Sequence, residues 1–477
     1  MWQPASRVAS AGRNLASINP FSRDGWLRSA TRPLRQTLAI HQNAKTILAK
    51  LNRGSHPATF IAITGSSGKS TTTGLLAHVL KGHAPTYRSI FSNSLRGISQ
   101  AVLRAPRRDK FIVLEVGAST KGSVAQLADI VRPDIAIVTM VGLEHYKAFR
   151  TLEAVSEEKG HLVAAVRPGG FALLNADDEN VLAMRGRTAE RIVTFGQSET
   201  ADFRVLSTNF AFPGPLSVRV AWKGGEETVT CPLPGSHFSV SVAASFAAAV
   251  ELGVPVALIK ERIASFAAVR NRCEIVEIAG GPTFVLDAAK APYGTIGLSF
   301  DVIASAVGRR KRIVIGQISD YSGNPYTKYN HAYRLARAVA DEVIGVGDNA
   351  HKLRAPKEDV ASGRFRKFLD VHDLHIYLKE TATEGDLILV KSSGSLHLER
   401  VVMAQEGDVR CWENKCGRRD DCVRCGLSDV PFEDHRRARR HARWRRRKEA
   451  IRRLFLSPSR RVVGAARSTA QPTPPAD

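Results

Sequence analysis

The residues from Thr64 to Thr71, Thr-Gly-Ser-Ser-Gly-Lys-Ser-Thr, combine two glycines, a lysine and several hydroxyl side chains. Glycines let the backbone approach an anion closely, and the amide groups of such a turn, at the start of a helix, hold phosphate oxygens. In loops of this kind the lysine reaches the terminal phosphates and the next hydroxyl ligates Mg²⁺. We therefore expect Lys69 to bind the β- and γ-phosphates of ATP and Ser70 to bind Mg²⁺. The other nucleotide contacts expected from the loop are Thr64, Gly65, Ser66, Ser67, Gly68 and Thr71.

A strand and a helix must hold this loop in place. Residues 60–63 are a short apolar run and residues 71–80 have a helical pattern, so the loop lies between a strand and a helix. Ile63 stands where the longer G-x-x-x-x-G-K-[ST] form has its first glycine, so this is the shorter T-G-x-x-G-K-[ST] version. A chance Gly/Ser turn before a helix is the alternative, and the flanking strand argues against it.

Short apolar runs and helical stretches alternate along most of the chain. In the first block the runs 60–63, 111–114, 135–139, 171–174 and 191–194 alternate with helical stretches at 71–80, 152–166 and 240–252, and residues 216–231 resemble a hairpin. In the second block the runs are 283–286, 312–315, 342–346 and 387–390, with a helix at 332–340. This alternation predicts an α/β fold, with a P-loop-type central domain on a mostly parallel sheet and a smaller Rossmann-like C-terminal domain.

The 477 residues are 43% hydrophobic and 24% charged, which is typical of globular proteins and excludes a fibrous or wholly disordered chain. No apolar run is long enough for a membrane-spanning helix. We expect five units: a basic helical N-terminal extension (1–57), the central ATP-binding domain (58–270), the C-terminal domain (271–405), a four-cysteine cluster (406–430) and an Arg-rich, partly disordered tail (431–477).

The net charge of +24 lies mainly in the two terminal segments. Residues 1–57 carry nine Lys/Arg against Asp24 alone, and residues 436–461 carry thirteen against Glu449 alone. The first segment is compatible with a surface-lying helix pair or, less well, with an organelle transit peptide. The second suits a solvated tail, an anionic membrane surface or an acidic protein partner, and nucleic acid is the weaker alternative. We expect a cytoplasmic protein with an optional attachment to the membrane surface.

Four of the six cysteines lie within fifteen residues, as Cys411-x₄-Cys416-x₅-Cys422-x₂-Cys425. Four thiolates at this spacing are compatible with one tetrahedral, structural Zn²⁺. A redox or disulfide pair and unligated thiols are the alternatives. A catalytic metal is disfavoured, because four protein ligands leave no open position.

Several further motifs follow the loop in a fixed order, and together they resemble the Mur ligase family. That family comprises ATP-dependent amide-forming enzymes of peptidoglycan precursor synthesis, and its D-alanyl-D-alanine-adding branch is the most similar. The resemblance covers about residues 58–403. Its motifs are the Asn-containing segment 91–98, the E-x-G-A-S element 115–119, the strand 133–145 that ends in G-x-x-H, the pair 158–159, and the segments 235–237, 271–274, 287–292 and 385–395.

The resemblance implies roles for residues outside the loop. Glu115 and His145 would be ligands of Mg²⁺, and Lys159 would be the lysine that the family carbamylates, which turns a cation into an anionic ligand. Lys69, Lys159 and His145 would form the catalytic set. A structural histidine and a plain surface lysine are the alternatives for His145 and Lys159. The remaining nucleotide contacts implied are His237, Arg272, Asp287 and Lys290.

The sequence also departs from the family pattern. Phe238 and Ser241 stand where the family has asparagines, and Lys147 replaces a usual acid. The 57 basic residues before the first strand are too few, and too poor in strand pattern, for the family's UDP-sugar-binding domain. Polyglutamate-type and cyanophycin-type ligases and the peptidoglycan-amidating subunit also lack that domain. We therefore expect the ligase chemistry to carry over better than the cell-wall substrate.

The expected function is an ATP- and Mg²⁺-dependent ligase that joins a small-molecule carboxylate to an amino-acid or peptide amine through an acyl phosphate. The alternative is a non-catalytic, nucleotide-binding scaffold of the same fold that works through its basic tails, and Phe238 and Ser241 are its main support. A kinase-like P-loop enzyme is a weaker alternative, because the motifs at Lys159 and at 385–395 argue against it.

Overall fold

The computed structural model describes residues 42–456, apart from residues 147, 308 and 419 and the side chains of 446, 447 and 450–456. Two sheets organise these residues, one of nine strands and one of six. Most strands are parallel and helices pack against both sheets, so the predicted α/β class is confirmed. The expectations for residues 1–41 and 457–477 lie outside the described residues. None of the described helices has both the length and the apolarity needed to cross a membrane.

The nine-stranded sheet contains the phosphate loop. Its strand order is β2-β3-β1-β4-β5-β6-β7-β8-β9, parallel as far as β7 and antiparallel from β7 to β9. The hairpin predicted at 216–231 is therefore confirmed. The strands are β1 (Thr59–Thr64), β2 (Thr86–Ser89), β3 (Phe111–Glu115), β4 (Ile135–Val138), β5 (Phe171–Asn175), β6 (Arg191–Gly196), β7 (Phe203–Asn209), β8 (Leu216–Trp222) and β9 (Gly225–Cys231).

Both faces of this sheet are buried at the parallel strands β1, β3, β4 and β5, as expected of parallel strands with helical crossovers. Side chains of a strand point alternately to opposite faces. Ile61 and Ile63 accordingly join one hydrophobic cluster, and Phe60 and Ala62 join a second one. The helices of this domain are α1 (42–54), α2 (Lys69–His83), α3 (Leu95–Arg104), α4 (Ser123–Val131), α5 (Leu152–Ala164), α6 (Glu179–Leu182), α7 (Ser239–Glu251) and α8 (Val256–Ala264).

Helix α1 is fixed to the first sheet by a buried arginine. Arg53 is 1% exposed, donates to the carbonyl oxygens of Val131 and Arg132 at 2.7 Å each, and pairs with Asp134 at 2.8 Å. Its guanidinium lies 4.1 Å from the ring centroid of Phe60. Residues 42–54 of the basic N-terminal segment are thus part of the folded domain.

The six-stranded sheet follows the order β10-β11-β15-β12-β13-β14, and only β10 runs antiparallel to its neighbour. Its strands are β10 (Glu274–Glu277), β11 (Thr283–Asp287), β12 (Lys311–Ile315), β13 (Glu342–Val346), β14 (Phe365–Phe368) and β15 (Leu387–Lys391). Its helices are α9 (Phe300–Ser305), α10 (Pro325–Arg337), α11 (Lys357–Ala361), α12 (Val371–Thr381) and α13 (Glu399–Glu406).

Helix α10 corrects one sequence-based boundary. We expected a helix at 332–340, whereas α10 begins seven residues earlier, where the side chain of Asn324 accepts a hydrogen bond from the backbone N–H of Tyr326 and proline occupies the first helical turn. An Asn-Pro pair is a recognised helix start. The apolar pattern of the second half of the helix had masked this polar first half.

Two further helices follow the second sheet. The cysteine segment, residues 406–430, contains the four-residue helix α14 (Cys422–Cys425). The Arg-rich run then forms the helix α15 (His435–Leu456). The first hydrophobic cluster contains residues of both sheets and of α7 and α9, so the two α/β units pack directly on each other.

Candidate functional site

The phosphate loop lies at the carboxyl end of β1, between β3 and β4, where the strand order reverses. Ligands of open α/β sheets bind at such a switch point. Gly65 has φ +147°, and a Cβ there would lie 2.0 Å from the hydroxyl oxygen of Thr139. That hydroxyl donates to the carbonyl oxygen of Ser67 at 2.6 Å. Gly68, with φ +79°, is the N-cap of α2. The loop conformation therefore requires both glycines.

Lys69 lies beneath the loop and is 8% exposed. Its ammonium group donates to the carbonyl oxygen of Gly65, and at 3.4 Å to that of Ser66. Ser70 and Thr71, in the first turn of α2, are also buried, and Thr64 ends β1. The structure thus gathers the loop residues that the sequence predicted around one anion-binding turn.

Glu115, the last residue of β3, forms what we call the magnesium corner. Its carboxylate accepts hydrogen bonds from the Ser70 hydroxyl at 2.9 Å, the Asn93 amide at 3.1 Å and the backbone N–H of Phe91 at 3.1 Å. All these partners are neutral, so none of them is a cation that would offset the charge of the carboxylate. Mg²⁺ prefers such oxygen ligands, and Ser70 and Glu115 therefore fit the metal expected there.

Glu144 forms the second, or lysine, corner. It is 2% exposed, pairs with Lys159, and lies 3.7 Å from the ammonium of Lys69 and 3.9 Å from that of Lys290. Burial by itself raises the pKa of Glu144, but the three lysines outweigh it and lower that pKa to about 2. No motif of the sequence indicates a role for Glu144. The only signal was a carboxylate directly before His145, in the loop that follows β4.

Lys159 is completely buried in α5, so the alternative of a plain surface lysine is wrong. Burial lowers its pKa to about 8, although the carboxylate of Glu144 raises it. At that pKa an appreciable part of the amine is uncharged near neutral pH. Lys159 contacts Glu144 and is not paired with Glu115.

His145 follows Glu144 with a left-handed backbone, φ +48°. Its backbone N–H donates to the carboxylate of Asp320 at 2.9 Å, a contact between the two domains that the sequence analysis missed. Burial and the neighbouring Lys290 lower the pKa of the imidazole, so the ring is neutral at physiological pH. A neutral imidazole keeps a nitrogen free to bind a metal.

The second domain supplies the opposite wall of the site. Asp287 and Lys391, at the ends of β11 and β15, form a buried pair 2.5 Å apart, and Lys391 lowers the pKa of Asp287 despite the burial. Because the Asp287 carboxylate is paired with Lys391, we infer that the first role of Asp287 is to position Lys391. Lys290 reaches across to Glu144, and Arg272 lies with its guanidinium 5.8 Å from the Phe91 ring.

His237 faces the cleft with a buried Nδ1 that has no hydrogen-bond partner. Burial lowers its pKa to about 4, so it is neutral. Its ring packs 4.1 Å from that of Phe238. An unpartnered buried nitrogen costs free energy, which a ligand in the cleft would recover.

Phe238 and Ser241 are both buried and line the same cleft. The Ser241 hydroxyl accepts a hydrogen bond from Thr72 of α2 at 3.0 Å and would lie 3.4 Å from a Cβ at Gly68. Ser241 therefore supports the phosphate loop from below. The structure gives this departure from the family pattern a packing role.

A cleft of about 310 Å³ lies between the two domains, and residues of both line it. The cysteine segment closes one side, a feature that the sequence did not indicate. Asp421 pairs with Arg270 at 3.5 Å, and the Arg424 guanidinium lies 5.0 Å from the Phe91 ring centroid. Asp420, Asp421 and Arg424 all line the cleft.

The four cysteines do not form the thiolate tetrahedron expected from their spacing. Over the part of the chain that the structure describes, one group of at least three candidate ligands has all its ligand atoms within 4.8 Å, and it comprises His397, Glu399 and Cys422. All four thiols are free. The expectation of a purely four-cysteine site is therefore corrected, because a histidine and a glutamate from the start of α13 occupy part of the same space.

Known proteins match this fold and these motifs. Residues 63–249 match the Mur ligase middle domain. The UDP-N-acetylmuramoyl-tripeptide–D-alanyl-D-alanine ligase of Escherichia coli K12 is 27% identical over 369 residues, covering 76% of this chain and 80% of that protein. The enzyme of the same name from Mycobacterium tuberculosis H37Rv is 28% identical over 405 residues, covering 78% and 77%.

Solved structures agree at the level of the fold. MurF from Acinetobacter baumannii has a TM-score of 0.68 at 22% identity, covering 76% of this chain and 80% of that one. MurF from Thermotoga maritima in complex with ADP also has a TM-score of 0.68 at 22% identity, covering 76% and 83%. The fold of this chain is thus that of the Mur ligases with solved structures, and residues 63–249 are similar to the middle domain of that family.

Proposed function

We propose that the protein is an ATP-dependent ligase that forms an amide bond between a carboxylate and an amine. The observation that carries this proposal is the cleft between the two domains, which gathers the phosphate loop, the magnesium corner and a group of cations from both walls. Lys69 and Lys290 contribute charge from opposite domains, so a triphosphate and a carboxylate would be held together where they meet.

The reaction needs a better leaving group than the hydroxide of a free carboxylic acid. The substrate carboxylate oxygen attacks the γ-phosphorus of ATP, the bond to the β-phosphate oxygen breaks, and ADP leaves. The amine nitrogen then attacks the acyl carbon, the bond to the phosphate oxygen breaks, inorganic phosphate leaves, and the nitrogen gives up a proton. In the first step two anions approach each other, and the cations of the cleft offset their repulsion.

Ser70 and Glu115 would hold Mg²⁺ at the magnesium corner, where the ion would neutralise phosphate charge. Lys69 would bind the β- and γ-phosphates from beneath the loop. Asn93 keeps Glu115 in place, since its amide donates to the carboxylate. His237 of the central domain and Arg272 of the C-terminal domain each have a buried side-chain nitrogen that lacks a partner, and both would contact the nucleotide.

Lys159 would act in a carbamylated form, as the family resemblance implies. The ammonium group first loses one proton. The neutral amine then attacks CO₂, a C–N bond forms as one C–O π bond opens, and a second proton leaves the nitrogen, so a cation becomes an anion. The pKa of about 8 supports this reaction, because only the uncharged amine reacts. His145, one residue from Glu144 and neutral, would ligate a metal together with the carbamate.

The substrate classes follow from the names of the relatives. We propose a muramoyl-peptide carboxylate and an amino-acid or dipeptide amine, with UDP-N-acetylmuramoyl tripeptide and D-alanyl-D-alanine as the first pair to test. Cell-wall biogenesis is the process that this pair implies.

The test measures ADP and phosphate release with this pair and identifies the product by mass spectrometry. Wild type is compared with Lys69→Ala and with Lys81→Ala, a control at an exposed position on the same helix. We expect Lys69→Ala to reduce turnover about 10²- to 10³-fold and Lys81→Ala to leave it unchanged. If wild type releases no ADP with any carboxylate and amine offered, although it binds ATP, the non-catalytic scaffold replaces the ligase.

Helix α15 supports a second, separate proposal for the basic tail. Its first half is exposed and rich in arginine, and Trp444 is 52% exposed beside Lys448. An anionic membrane surface suits this composition. Co-sedimentation with vesicles of anionic or of neutral lipid tests it, and binding to an acidic protein or to nucleic acid with no binding to anionic vesicles would overturn it.

A further inference from the structure

A small cavity at the junction of α13 and the cysteine segment combines more metal-binding side chains than a structural core requires. It has a volume of about 10 Å³, about that of one water-sized sphere. All four cysteines of the cluster line it, and so does His397. His435 also lines the cavity, so cysteines and histidines, whose sulfur and nitrogen ligands soft divalent cations prefer, share this small space.

The orientation of His397 adds a second, independent observation. Its Nδ1 lies 3.3 Å from the carboxylate of Glu399, and its Nε2 lies 3.3 Å from the sulfur of Cys416. A histidine that binds a metal usually gives its other ring N–H to a carboxylate, which fixes the tautomer and orients the ring. With Glu399 accepting at Nδ1, the lone pair of Nε2 points to the cysteines.

Cys422 is placed by the same carboxylate. The backbone N–H of Cys422 donates to Glu399 at 2.9 Å, and the ligand atoms of His397, Glu399 and Cys422 lie within 4.8 Å of one another. All three residues are buried. Glu399 is thus a positioning residue that holds both a candidate imidazole ligand and a candidate thiolate ligand.

We propose that this cavity binds one zinc-class cation through Nε2 of His397 and the sulfurs of Cys416 and Cys422, with the fourth ligand from Cys411 or Cys425. Each thiol loses its proton when its sulfur binds the cation, so binding releases protons to solvent and no oxidant or reductant is needed. Four protein ligands close the coordination sphere, and the cation has a structural role.

The site is tied to the ligase cleft by a short path. Arg400, next to Glu399, donates to the carbonyl oxygen of Cys411 at 2.7 Å and anchors one end of the segment. Asp421, which caps α14, precedes Cys422 and pairs with Arg270, and Arg424 lies between Cys422 and Cys425 and over Phe91. The cation would therefore hold Asp421 and Arg424 in the wall of the cleft. This second part rests on the proposed nucleotide site.

Metal content tests the site itself. The full chain, purified without chelators and dialysed against metal-free buffer, is expected to retain about one zinc per chain by plasma mass spectrometry. Cys416→Ser, Cys422→Ser and His397→Ala are each expected to lose most of it. Cys231→Ser is the matched control, because Cys231 is a buried cysteine of β9 in the other domain. Zinc retained in all three variants, or absent from the wild type even after reconstitution, overturns the proposal.

Cobalt reports on the ligands without relying on a variant that folds. Wild-type protein stripped by a chelator and loaded with Co²⁺ is expected to show the visible bands of a tetrahedral thiolate site. The bands should shift in His397→Ala if that variant still binds cobalt. Bands that are identical with and without the imidazole would overturn His397 as a ligand, and a spectrum without thiolate bands would overturn the whole site.

Nucleotide binding tests the coupling. We expect removal of zinc to weaken ADP binding about threefold to tenfold in calorimetry, because Arg424 loses its place over Phe91. Arg424→Ala is expected to weaken ADP binding by a similar factor with its zinc content unchanged. Unchanged ADP affinity after zinc removal overturns the coupling and leaves the metal site standing. Failure of wild-type protein to bind ADP at all contradicts the proposed function, and the zinc measurement remains independent of it.

Discussion

Two buried carboxylates flank the phosphate loop, and their surroundings are opposite. Glu115 ends β3 on one side of β1 and is held by a hydroxyl, an amide and a backbone N–H. Glu144 follows β4 on the other side and is held by three lysines. Both side chains are almost fully buried, so the two carboxylates do not differ in burial. They differ in the charge of their partners, which are neutral at Glu115 and cationic at Glu144.

This contrast separates two tasks that a ligase needs. The neutral partners of Glu115 orient it without cancelling its charge, so a divalent cation beside Ser70 is attracted to it. The partners of Glu144 more than cancel its charge, so the lysine corner attracts anions such as phosphate. A Mg²⁺ ion is expected at the second corner only if Lys159 changes sign by carbamylation.

The largest effect is expected from Glu144→Gln, which removes the charge of the carboxylate at the lysine corner and should lower the free energy of unfolding. Removing one member of a buried ion pair costs about 3–5 kcal/mol, because the remaining group must either keep an uncompensated charge or give up its proton. Without Glu144 the pKa of Lys159 falls further, since that carboxylate raises it. Lys159 is then neutral in the folded state and protonated in the unfolded state, so the stability of the variant should rise with pH up to the normal lysine pKa. Thermal and urea unfolding at several pH values measure this.

Glu157→Gln, at an exposed position on α5, is the matched control and should unfold as the wild type does. Glu144→Gln combined with Lys159→Met should recover much of the loss, because an apolar replacement of a buried pair is often neutral. If Glu144→Gln is instead more stable than wild type in buffer free of CO₂, the lysine corner is not the cationic cluster described above.

Glu115→Gln should produce the next largest effect, on the metal and not on the fold. The amide preserves the shape but removes the charge, so we expect the Mg²⁺ concentration for half-maximal ADP release to rise about tenfold to a hundredfold. The free energy of unfolding should change much less than in Glu144→Gln, because no buried charge loses its partner. Equal Mg²⁺ dependence of Glu115→Gln and wild type would remove the functional difference between the two corners.

A smaller effect is expected from bicarbonate acting on Lys159. With a pKa of about 8, the neutral fraction of the amine is about one-tenth at pH 7 and about one-half at pH 8. When bicarbonate is adjusted to give the same dissolved CO₂ at both pH values, carbamate formation should therefore be about fivefold faster at pH 8. The neutral, reactive form of the amine increases as the pH rises. Because burial lowers the pKa of Lys159, this increase occurs at a lower pH than for an exposed lysine. Recovery of activity in CO₂-depleted enzyme after addition of bicarbonate measures the rate, and ¹³C NMR detects the carbamate.

Lys159→Arg is the control, since a guanidinium keeps the positive charge and forms no carbamate under these conditions. It should be insensitive to bicarbonate at either pH. Full activity in rigorously CO₂-free buffer, with no carbamate signal, would show that the lysine corner works as a cationic site. In that case only the magnesium corner would bind Mg²⁺.

The residues that sequence reasoning identified differ in kind from those that it missed. The phosphate loop is contiguous, and Glu115 ends an apolar strand, so type and spacing alone indicated both. Eleven strands were predicted to within about two residues, because most of them are continuous apolar runs. The strands β2, β7, β10 and β14 were missed, since each is partly exposed and has no such run. The same local signals gave the α/β class.

The missed residues depend on contacts between distant elements. The partners of Glu144 come from α2, α5 and a loop of the second domain, and no local pattern brings these three lysines to one carboxylate. His397 lies fourteen residues before the first cysteine of the cluster, outside the usual spacing of a metal motif. Only the packing of α13 against the cysteine segment places it there.

The smallest effect, on ADP affinity, is expected from Ser241→Ala. Ser241 contacts α2 and lies next to the phosphate loop, which lies between the two corners. It removes the acceptor of the Thr72 hydroxyl, a hydrogen bond that contributes about 1 kcal/mol, so we expect ADP affinity to fall less than tenfold. Ser241→Asn is the informative partner, because the larger amide would enter the space next to Gly68 and displace the loop. If Ser241 supports the loop by packing, Asn should bind ADP more weakly than Ala in calorimetry. If Asn instead binds ADP more tightly than wild type, position 241 contacts the nucleotide directly, and the loop is held by Thr139 and the two glycines without help from α7.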